Sequence, residues 1–142
     1  MNYNIEILLE NNEVFSALLH KEIKEFNNEH FVHDKEGVQP INIIVSNDND
    51  NWIGGINADV YWDWMEINDF WFRDEYRGKG LGGRILDKAE KIAKEMGAKK
   101  ALLTTFEFQA RSFYEFKGYK VVGEVKDYPL GSSYYTMVKT LI

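Results

Sequence analysis

The sequence predicts an α/β (α+β) fold, a mixed sheet of about six to seven strands flanked by helices. Stretches of alternating or continuous apolar residues, typical of strands, occur before residue 73. A glycine-rich turn then leads into a long amphipathic helix, and an apolar strand follows that helix. Such a strand-helix-strand unit joins parallel strands, so the predicted sheet combines antiparallel and parallel pairs. We expect a single domain over residues 1–142.

The first 40 residues predict one strand and one helix. Ile5, Ile7 and Leu9 alternate with polar residues, which indicates a strand. Asn11 or Asn12 can cap a helix that frays over residues 27–29. The apolar residues with helical spacing are Val14, Leu18, Leu19, Ile23 and Phe26. Residues 29–40 show no period and predict a loop or a short second helix.

Three strands are predicted next, over residues 41–45, 52–61 and 64–72. The Asn- and Asp-rich stretch 47–51 predicts a hairpin turn, because these residues tolerate left-handed conformations. It lacks the ligand ladder and distal glutamate of a calcium loop. Gly54 and Gly55 inside a strand indicate a bulge or a close backbone approach.

The second half predicts a helix over residues 80–96, closed by Gly97. A strand over 101–105 should lie parallel to strand 64–72. A short helix over 109–116 and strands over 119–126 and 134–140 complete the prediction, with a turn at 127–131.

Composition excludes several classes of protein. The net charge of −6, with no basic stripe, argues against nucleic-acid binding. The absence of cysteine excludes disulfides and thiolate chemistry and fits a cytoplasmic location. The sequence has no long apolar run and no basic N-terminal region, so we expect no membrane span, no leader and no membrane partner. A monomer or a homodimer is expected.

His30, His33 and Asp34 raise the question of a metal site. Imidazoles three residues apart share one face of a helix, but no firm third ligand accompanies this pattern. We therefore expect solvated surface residues and no metal.

The glycine-rich turn RGKGLGG, residues 77–83, predicts a phosphate site. Glycines before a helix let backbone N–H groups approach an anion, and the helix dipole favours negative charge there. Gly78, Gly80 and Gly83 also fit a dinucleotide fingerprint, but that turn usually opens its fold and this one does not. A Walker A loop is excluded, because Gly83 and Arg84 follow Gly82. An ordinary flexible turn is the remaining alternative.

Two motifs in order resemble the GNAT superfamily of N-acetyltransferases, and the resemblance extends from about Trp52 to the C-terminus. Motif A is Arg77-x-x-Gly80-x-Gly82, and motif B is Ala110-x-x-x-Tyr114-Glu115-x-x-Gly118-Tyr119. The resemblance implies a GNAT-like domain whose central parallel strands splay apart around the thioester of acetyl-CoA. The implied donor-binding residues are Phe70, Trp71, Phe72, Arg77, Gly78, Lys79, Gly80, Leu81, Gly82 and Gly83.

The resemblance also implies catalytic roles. A backbone N–H near residues 70–72 would stabilise the oxyanion. Tyr114, with a phenol near its ordinary pKa, would protonate the departing thiolate, although a core aromatic is the alternative. Family members often carry an Asn at the position of Glu107, and we do not transfer its cofactor role to a carboxylate. Contacts of Gln109 with CoA stay open as well.

The general base is predicted to be Glu66 or Asp69, with a water as the alternative. Regular alternation would place Glu66, Phe70 and Phe72 on one face of the strand and Asp69 on the other. Only one carboxylate could then point into a given site. A salt-bridged or solvated strand residue is the alternative for each.

Acidic and aromatic residues between positions 59 and 71 suggest that the acceptor is a small primary amine, such as a polyamine or an amine antibiotic. A solvated hairpin edge is the alternative. The segment 127–135 resembles the tail of bacterial family members, some of them described as antibiotic acetyltransferases, and is expected to close over the acceptor. A non-catalytic CoA-binding module is the second functional hypothesis.

Overall fold

The computed structural model describes residues 1–31 and 37–142, which belong to two compact units, residues 1–35 and 36–142. In the first unit, helix α1 covers Glu13–His30 and is capped by Asn12, whose side-chain oxygen accepts a hydrogen bond from Phe15 N at 2.9 Å. The predicted cap is thus confirmed at Asn12. The helix does not fray after Phe26, because His30 stacks on that ring and its Nδ1 lies 2.9 Å from the Phe26 carbonyl oxygen.

The strand predicted from Ile5, Ile7 and Leu9 is wrong, since residues 1–10 contain no strand. A short alternation without a hydrogen-bonded neighbouring strand does not suffice to form one. His33 and Asp34, two of the three residues considered above as metal ligands, lie outside the described residues. Among the helices described here, none is long and apolar enough to span a membrane.

The second unit contains a six-stranded mixed sheet in the order β1-β2-β3-β4-β6-β5, and the predicted fold class is confirmed. Among the strands in the described part of the chain, only β3 and β4 are parallel neighbours. The elements are β1 (Gln39–Ser46), β2 (Trp52–Tyr61), β3 (Trp64–Phe72), α2 (Leu81–Glu95), β4 (Lys100–Phe106), α3 (Arg111–Phe116), β5 (Lys120–Lys126) and β6 (Ser133–Thr140). The predicted β2 and β3 have the observed bounds, and the other elements differ by one or two residues at an end.

One face of the sheet packs against α2 and forms the core. The helix buries a stripe that includes Ile85, Leu86 and Ala89, with Leu86 and Ala89 fully excluded from solvent. Met65 of β3 and Met137 of β6 are equally buried on the sheet side. This packing of an amphipathic helix on a sheet holds the N-terminus of α2 in place beside the end of β3.

The hairpin turn at residues 47–51 is confirmed. Asn47 Oδ1 accepts hydrogen bonds from Asn49 N at 2.9 Å and Asn51 N at 3.0 Å, and Asp50 has the left-handed φ of 61°. Gly55, further along β2, marks a close backbone approach, because a Cβ there would collide with the carbonyl oxygen of Ile43. Both parts of the hairpin therefore depend on their residue types.

A β-bulge at Asn68 changes which side chains of β3 share a face. Asn57 pairs with Asp69 and Ala58 pairs with Ile67, so Asn68 has no partner on β2. The extra residue reverses the alternation beyond it. Residues 65, 67, 70 and 72 therefore share the face toward α2, and residues 66, 69 and 71 share the other. The predicted alternation, which separated Glu66 from Asp69, is wrong.

Candidate active site

The central feature of the site is a gap between β3 and β4. These strands pair only where Trp64, Met65 and Glu66 face residues 100–102, although β3 continues to Phe72 and β4 to Phe106. The predicted splay of the parallel strands is confirmed. Beyond Glu66, the backbone groups that β3 directs toward β4 have no strand partner, so that edge can hydrogen-bond an extended ligand.

The glycine-rich turn lies at the end of β3, where it starts α2. Gly78 and Gly80 have φ values of 75° and 83°, a left-handed conformation that side chains rarely adopt. The helix begins at Leu81, and its first N–H groups have no intrahelical acceptor. These donors and the helix dipole make the turn suitable for a phosphate.

The side chain of Arg77 is engaged within the protein. Its Nε donates a hydrogen bond to the Phe72 carbonyl oxygen at 2.7 Å, and a terminal guanidinium nitrogen lies 2.7 Å from Asp74 Oδ1. Its guanidinium carbon also lies 5.9 Å from the centre of the Trp71 ring. Arg77 therefore fixes the turn against β3, and its position in motif A has a structural explanation of its own.

A cavity of about 860 Å³ connects the turn, the end of β3 and helix α3. This volume is in the range of cofactor sites. Eight of the predicted donor-binding residues line it: Phe70, Trp71, Phe72, Arg77, Gly78, Gly80, Gly82 and Gly83. Lys79 and Leu81 are not among the lining residues.

Sequence reasoning assigned no residue to the opposite wall of this cavity and left only the contact of Gln109 open. That wall comes largely from α3 and the residues before it, namely Phe108, Gln109, Ala110, Phe113, Phe116 and Lys117. Phe113 stacks on Phe70 with ring centres 5.8 Å apart, which ties α3 to β3 across the gap. Apolar residues clustered around motif B were the available signal, but only contacts across the gap assign them to the cavity.

Lys117 adds positive charge to the cavity rim. Its Nζ lies 2.7 Å from Asp87 Oδ1 on α2 and 3.6 Å from the place of a Cβ on Gly83. Arg84 also lines the cavity. Asp87 lines the cavity too and offsets part of this charge, so the helix N-terminus and Arg84 contribute most to the attraction of an anionic ligand.

Tyr114 is buried, with 6% of its surface exposed, and packs against Phe70, Phe113 and Tyr119. Its hydroxyl donates no hydrogen bond to the residues described here. Every fully buried side-chain oxygen of these residues has a hydrogen-bond partner. The Tyr114 hydroxyl has none, so it is not fully buried and retains contact with solvent. Burial raises the pKa of Tyr114 to about 12, so the expectation of an ordinary pKa is wrong. The phenol is protonated at neutral pH.

Tyr119 has a different environment. Its hydroxyl donates a hydrogen bond of 2.8 Å to Glu90 Oε2, and Lys139 Nζ lies 2.7 Å from the other Glu90 oxygen. Burial, together with the Glu90 carboxylate, raises the pKa of Tyr119 far above its usual value. This buried group joins α2, β6 and the end of motif B, and its role is structural.

Three carboxylates share the sheet face opposite α2, which we call the carboxylate face: Asp59, Glu66 and Asp69. Glu66 Oε2 accepts a hydrogen bond from the Tyr61 hydroxyl at 3.0 Å, and Asp59 Oδ2 accepts one from Asn68 Nδ2 at 2.8 Å. Burial and the nearby Glu66 raise the pKa of Tyr61. Both base candidates therefore lie on one face, beside the start of the gap.

Glu107 and Gln109 precede motif B. The Gln109 side-chain oxygen accepts a hydrogen bond from Phe106 N at 2.8 Å and so closes the turn before α3. Gln109 lines the cavity, whereas Glu107 does not; its backbone N–H donates to the Ser133 carbonyl oxygen at 2.9 Å. Glu107 is thus not among the residues that line the cavity.

Comparison with known proteins gives consistent matches. The model of the acetyltransferase (GNAT) family matches residues 6–119. Blasticidin-S acetyltransferase from Streptomyces morookaense is 36% identical over 89 residues, which cover 62% of this chain and 65% of that protein. The chain therefore spans slightly under two thirds of that relative's length.

Solved structures extend the likeness to nearly the whole chain. An acetyltransferase from Bacillus cereus is 26% identical and superposes with a TM-score of 0.83 over 95% of this chain and 97% of its own. An aminoglycoside 6'-N-acetyltransferase solved with coenzyme A is 18% identical, with a TM-score of 0.65 over 95% of both chains. The second likeness concerns the fold alone.

Proposed function

The chain belongs to the acetyltransferase (GNAT) family, and we propose that it transfers the acetyl group of acetyl-CoA to a primary amine of a small molecule. One observation carries this proposal. Parallel strands β3 and β4 diverge after three residue pairs, directly beside a glycine turn that starts α2. This arrangement offers a strand edge for an acyl chain and an anion site for a pyrophosphate, both in one cavity.

The donor would bind along this cavity. N–H groups at the start of α2 would hold the pyrophosphate, while Arg84 and Lys117 add positive charge. The amide groups of the pantetheine arm would pair, as a further strand does, with the edge of β3 at residues 70–72 that β4 leaves open, apart from the Phe72 carbonyl oxygen, which already accepts from Arg77. The coenzyme A complex of the fold neighbour supports this assignment.

The transfer would proceed by direct attack. The neutral amine attacks the thioester carbonyl, and a backbone N–H of residues 70–72 stabilises the resulting oxyanion. The C–S bond then breaks as the amide forms, and the Tyr114 hydroxyl donates its proton to the leaving thiolate. A phenol with a pKa of about 12 is present in the acid form required for this step.

The amine must lose a proton before or during attack. Glu66 and Asp69 lie on the carboxylate face beside the gap, so either can accept that proton directly or through a water. The bulge at Asn68 supports both candidates, because Glu66 and Asp69 then share one face of the sheet.

The acceptor is proposed to be a cationic small molecule, with amine antibiotics and polyamines as first candidates. Negative charge on the carboxylate face attracts an ammonium group, and Trp71, which is 58% exposed, offers an aromatic surface nearby. The name of the Streptomyces relative supports an antibiotic acceptor. Since the relatives named above are acetyltransferases, a non-catalytic module is not favoured.

A thermal melt with acetyl-CoA tests the donor, and thiol release tests the reaction. Acetyl-CoA at a hundred times its dissociation constant would add about 2.7 kcal/mol of stability, which raises the midpoint by several degrees. NAD is the control and should produce no shift. Thiol release on adding an amine from a panel of polyamines and amine antibiotics would identify the acceptor class. No shift with acetyl-CoA, or no release with any amine, would contradict the proposal.

A further inference from the structure

Four aromatic side chains form a contiguous group at the end of the gap, which we call the ring cluster. Phe106 lies at its centre, nearly parallel to Phe108 at 5.2 Å and 7°, and to Tyr128 at 5.8 Å and 10°. Tyr134 stacks on Phe106 at 4.6 Å and also contacts Tyr128 at 5.3 Å. The rings come from three separate segments of the chain and present flat faces with similar orientation.

The ring cluster is largely exposed to solvent. Phe108 exposes 67% of its surface and Tyr128 exposes 56%. Contiguous apolar surface of this kind usually marks a binding site. Phe108 also lines the donor cavity, but Phe106, Tyr128 and Tyr134 have no part in the transfer of the acetyl group described above, so their arrangement needs another explanation.

The loop that carries Tyr128 is fixed by its own backbone. Asp127 N donates to the Ser132 carbonyl oxygen and Ser132 N donates to the Pro129 carbonyl oxygen, each at 2.8 Å. Gly131 N donates to Asp127 Oδ1 at 3.2 Å. At the other side of the cluster, the Tyr134 hydroxyl donates to Thr104 Oγ1 at 2.7 Å. The rings are therefore held in place before any ligand arrives, which lowers the entropic cost of binding.

The position of the ring cluster relates it to both proposed substrates. Phe108 also lines the donor cavity, so one wall of that cavity is continuous with the cluster. Phe106 lies on the same sheet face as Leu102, which pairs with Glu66. The ring cluster and the carboxylate face thus lie on one side of the sheet, at opposite edges of the gap.

We propose that the ring cluster is an acceptor subsite for a planar conjugated ring, and that the acceptor is an amine that carries such a ring. This inference rests on the proposed function and specifies its substrate class. The ring contacts the exposed side chains of Phe108 and Tyr128, while the amine lies toward the carboxylates at the other edge of the gap. Offset stacking and edge contacts favour a flat ring over a saturated one of equal size.

A matched pair of amines tests the subsite. 2-Phenylethylamine and 2-cyclohexylethylamine have the same chain and nearly the same size, but only the first has a planar ring. We expect kcat/KM for the planar amine to exceed that for the saturated amine by about five- to tenfold, as stacking interactions of this kind allow. In Tyr128→Leu this ratio should fall to about one, with KM for acetyl-CoA unchanged.

Trp52→Leu is the matched control, because Trp52 is 71% exposed and belongs neither to the ring cluster nor to the cavity lining. It should keep the wild-type ratio. Phe108→Leu provides a second variant, with the same loss of the ratio. An unchanged ratio in both cluster variants, or a ratio near one in the wild type, would overturn the subsite. Release of thiol with ring-free amines in that case would leave the proposed transferase function intact.

Discussion

Replacing Tyr114 by phenylalanine should separate chemistry from stability. The substitution removes one hydroxyl, which has no hydrogen-bond partner among the described residues, and leaves the ring contacts with Phe70 and Phe113 in place. We therefore expect the free energy of unfolding to change by no more than about 0.5 kcal/mol. Loss of the general acid should lower kcat by about 10²- to 10⁴-fold, or ~3–5 kcal/mol of barrier.

The matched control is Tyr119→Phe, which should give the opposite pattern. Its hydroxyl donates to Glu90, a residue only 8% exposed, and removing the donor leaves a carboxylate oxygen unsatisfied. This should cost about 1–3 kcal/mol of stability and lower the melting midpoint by several degrees. The kcat of this variant should stay near that of the wild type.

Thiol release at saturating acetyl-CoA measures kcat, and titration of acetyl-CoA by calorimetry measures its affinity, which Tyr114→Phe should leave unchanged. A Tyr114→Phe protein that retains kcat within threefold of the wild type would contradict the acid role of Tyr114. Loss of activity in both variants only in proportion to lost stability would contradict it as well.

The same variant has a distinct alkaline signature. The pKa of Tyr114 is about 12 in the folded protein and about 10 in an unfolded chain, so its contribution to stability is complete below pH 10. As the pH rises from 10 to 12, the unfolded state releases this proton first and stability falls. The wild type should therefore lose about 2 kcal/mol more than Tyr114→Phe over that interval.

Four further substitutions test the cavity, the hairpin and the base. Gly82→Ala places a methyl group 3.6 Å from the Phe70 ring, which is an ordinary contact. The free energy of unfolding should therefore rise by about 0.5–1 kcal/mol. Because the methyl group obstructs the cavity, calorimetry should show acetyl-CoA binding about tenfold more weakly. Gly55→Ala collides with the Ile43 carbonyl oxygen and should cost about 3 kcal/mol or more in urea unfolding. The base is tested by Glu66→Gln and Asp69→Asn. One of them should lower kcat/KM for the amine about a hundredfold, and the other should lower it less than threefold. Small and equal effects of the two substitutions would indicate that a water is the base.

The strands and the central helix could be predicted because their patterns are local. Residues 52–61 and 64–72 carry strand residues bounded by turn residues, and both strands formed with those bounds. The N-terminal alternation at Ile5, Ile7 and Leu9 was equally regular but shorter, and it formed no strand. Pairing with a neighbour, which the alternation does not encode, decides between the two outcomes.

The arrangement of the site depended on features that a local pattern does not contain. The bulge at Asn68 is visible only from the register between β2 and β3, yet it brings Glu66 and Asp69 to one face. The raised pKa of Tyr114 follows from burial among rings of β3 and α3, which are far apart in sequence. The sequence does not distinguish Lys117 from the other lysines. Only the folded structure, through the ion pair with Asp87, shows that Lys117 lies on the cavity rim.

The limited pairing of β3 and β4 also has a mechanical meaning. Three residue pairs join the half-sheet β1-β2-β3 to the half-sheet β4-β6-β5, and we call this short pairing the seam. We expect the two half-sheets to separate here more easily than the longer strand pairs do. Amide protons bordering the seam should exchange with solvent through small separations of the two halves, well before either half unfolds. A molecule bound across the seam would restrain such separations, because it would contact both halves of the sheet.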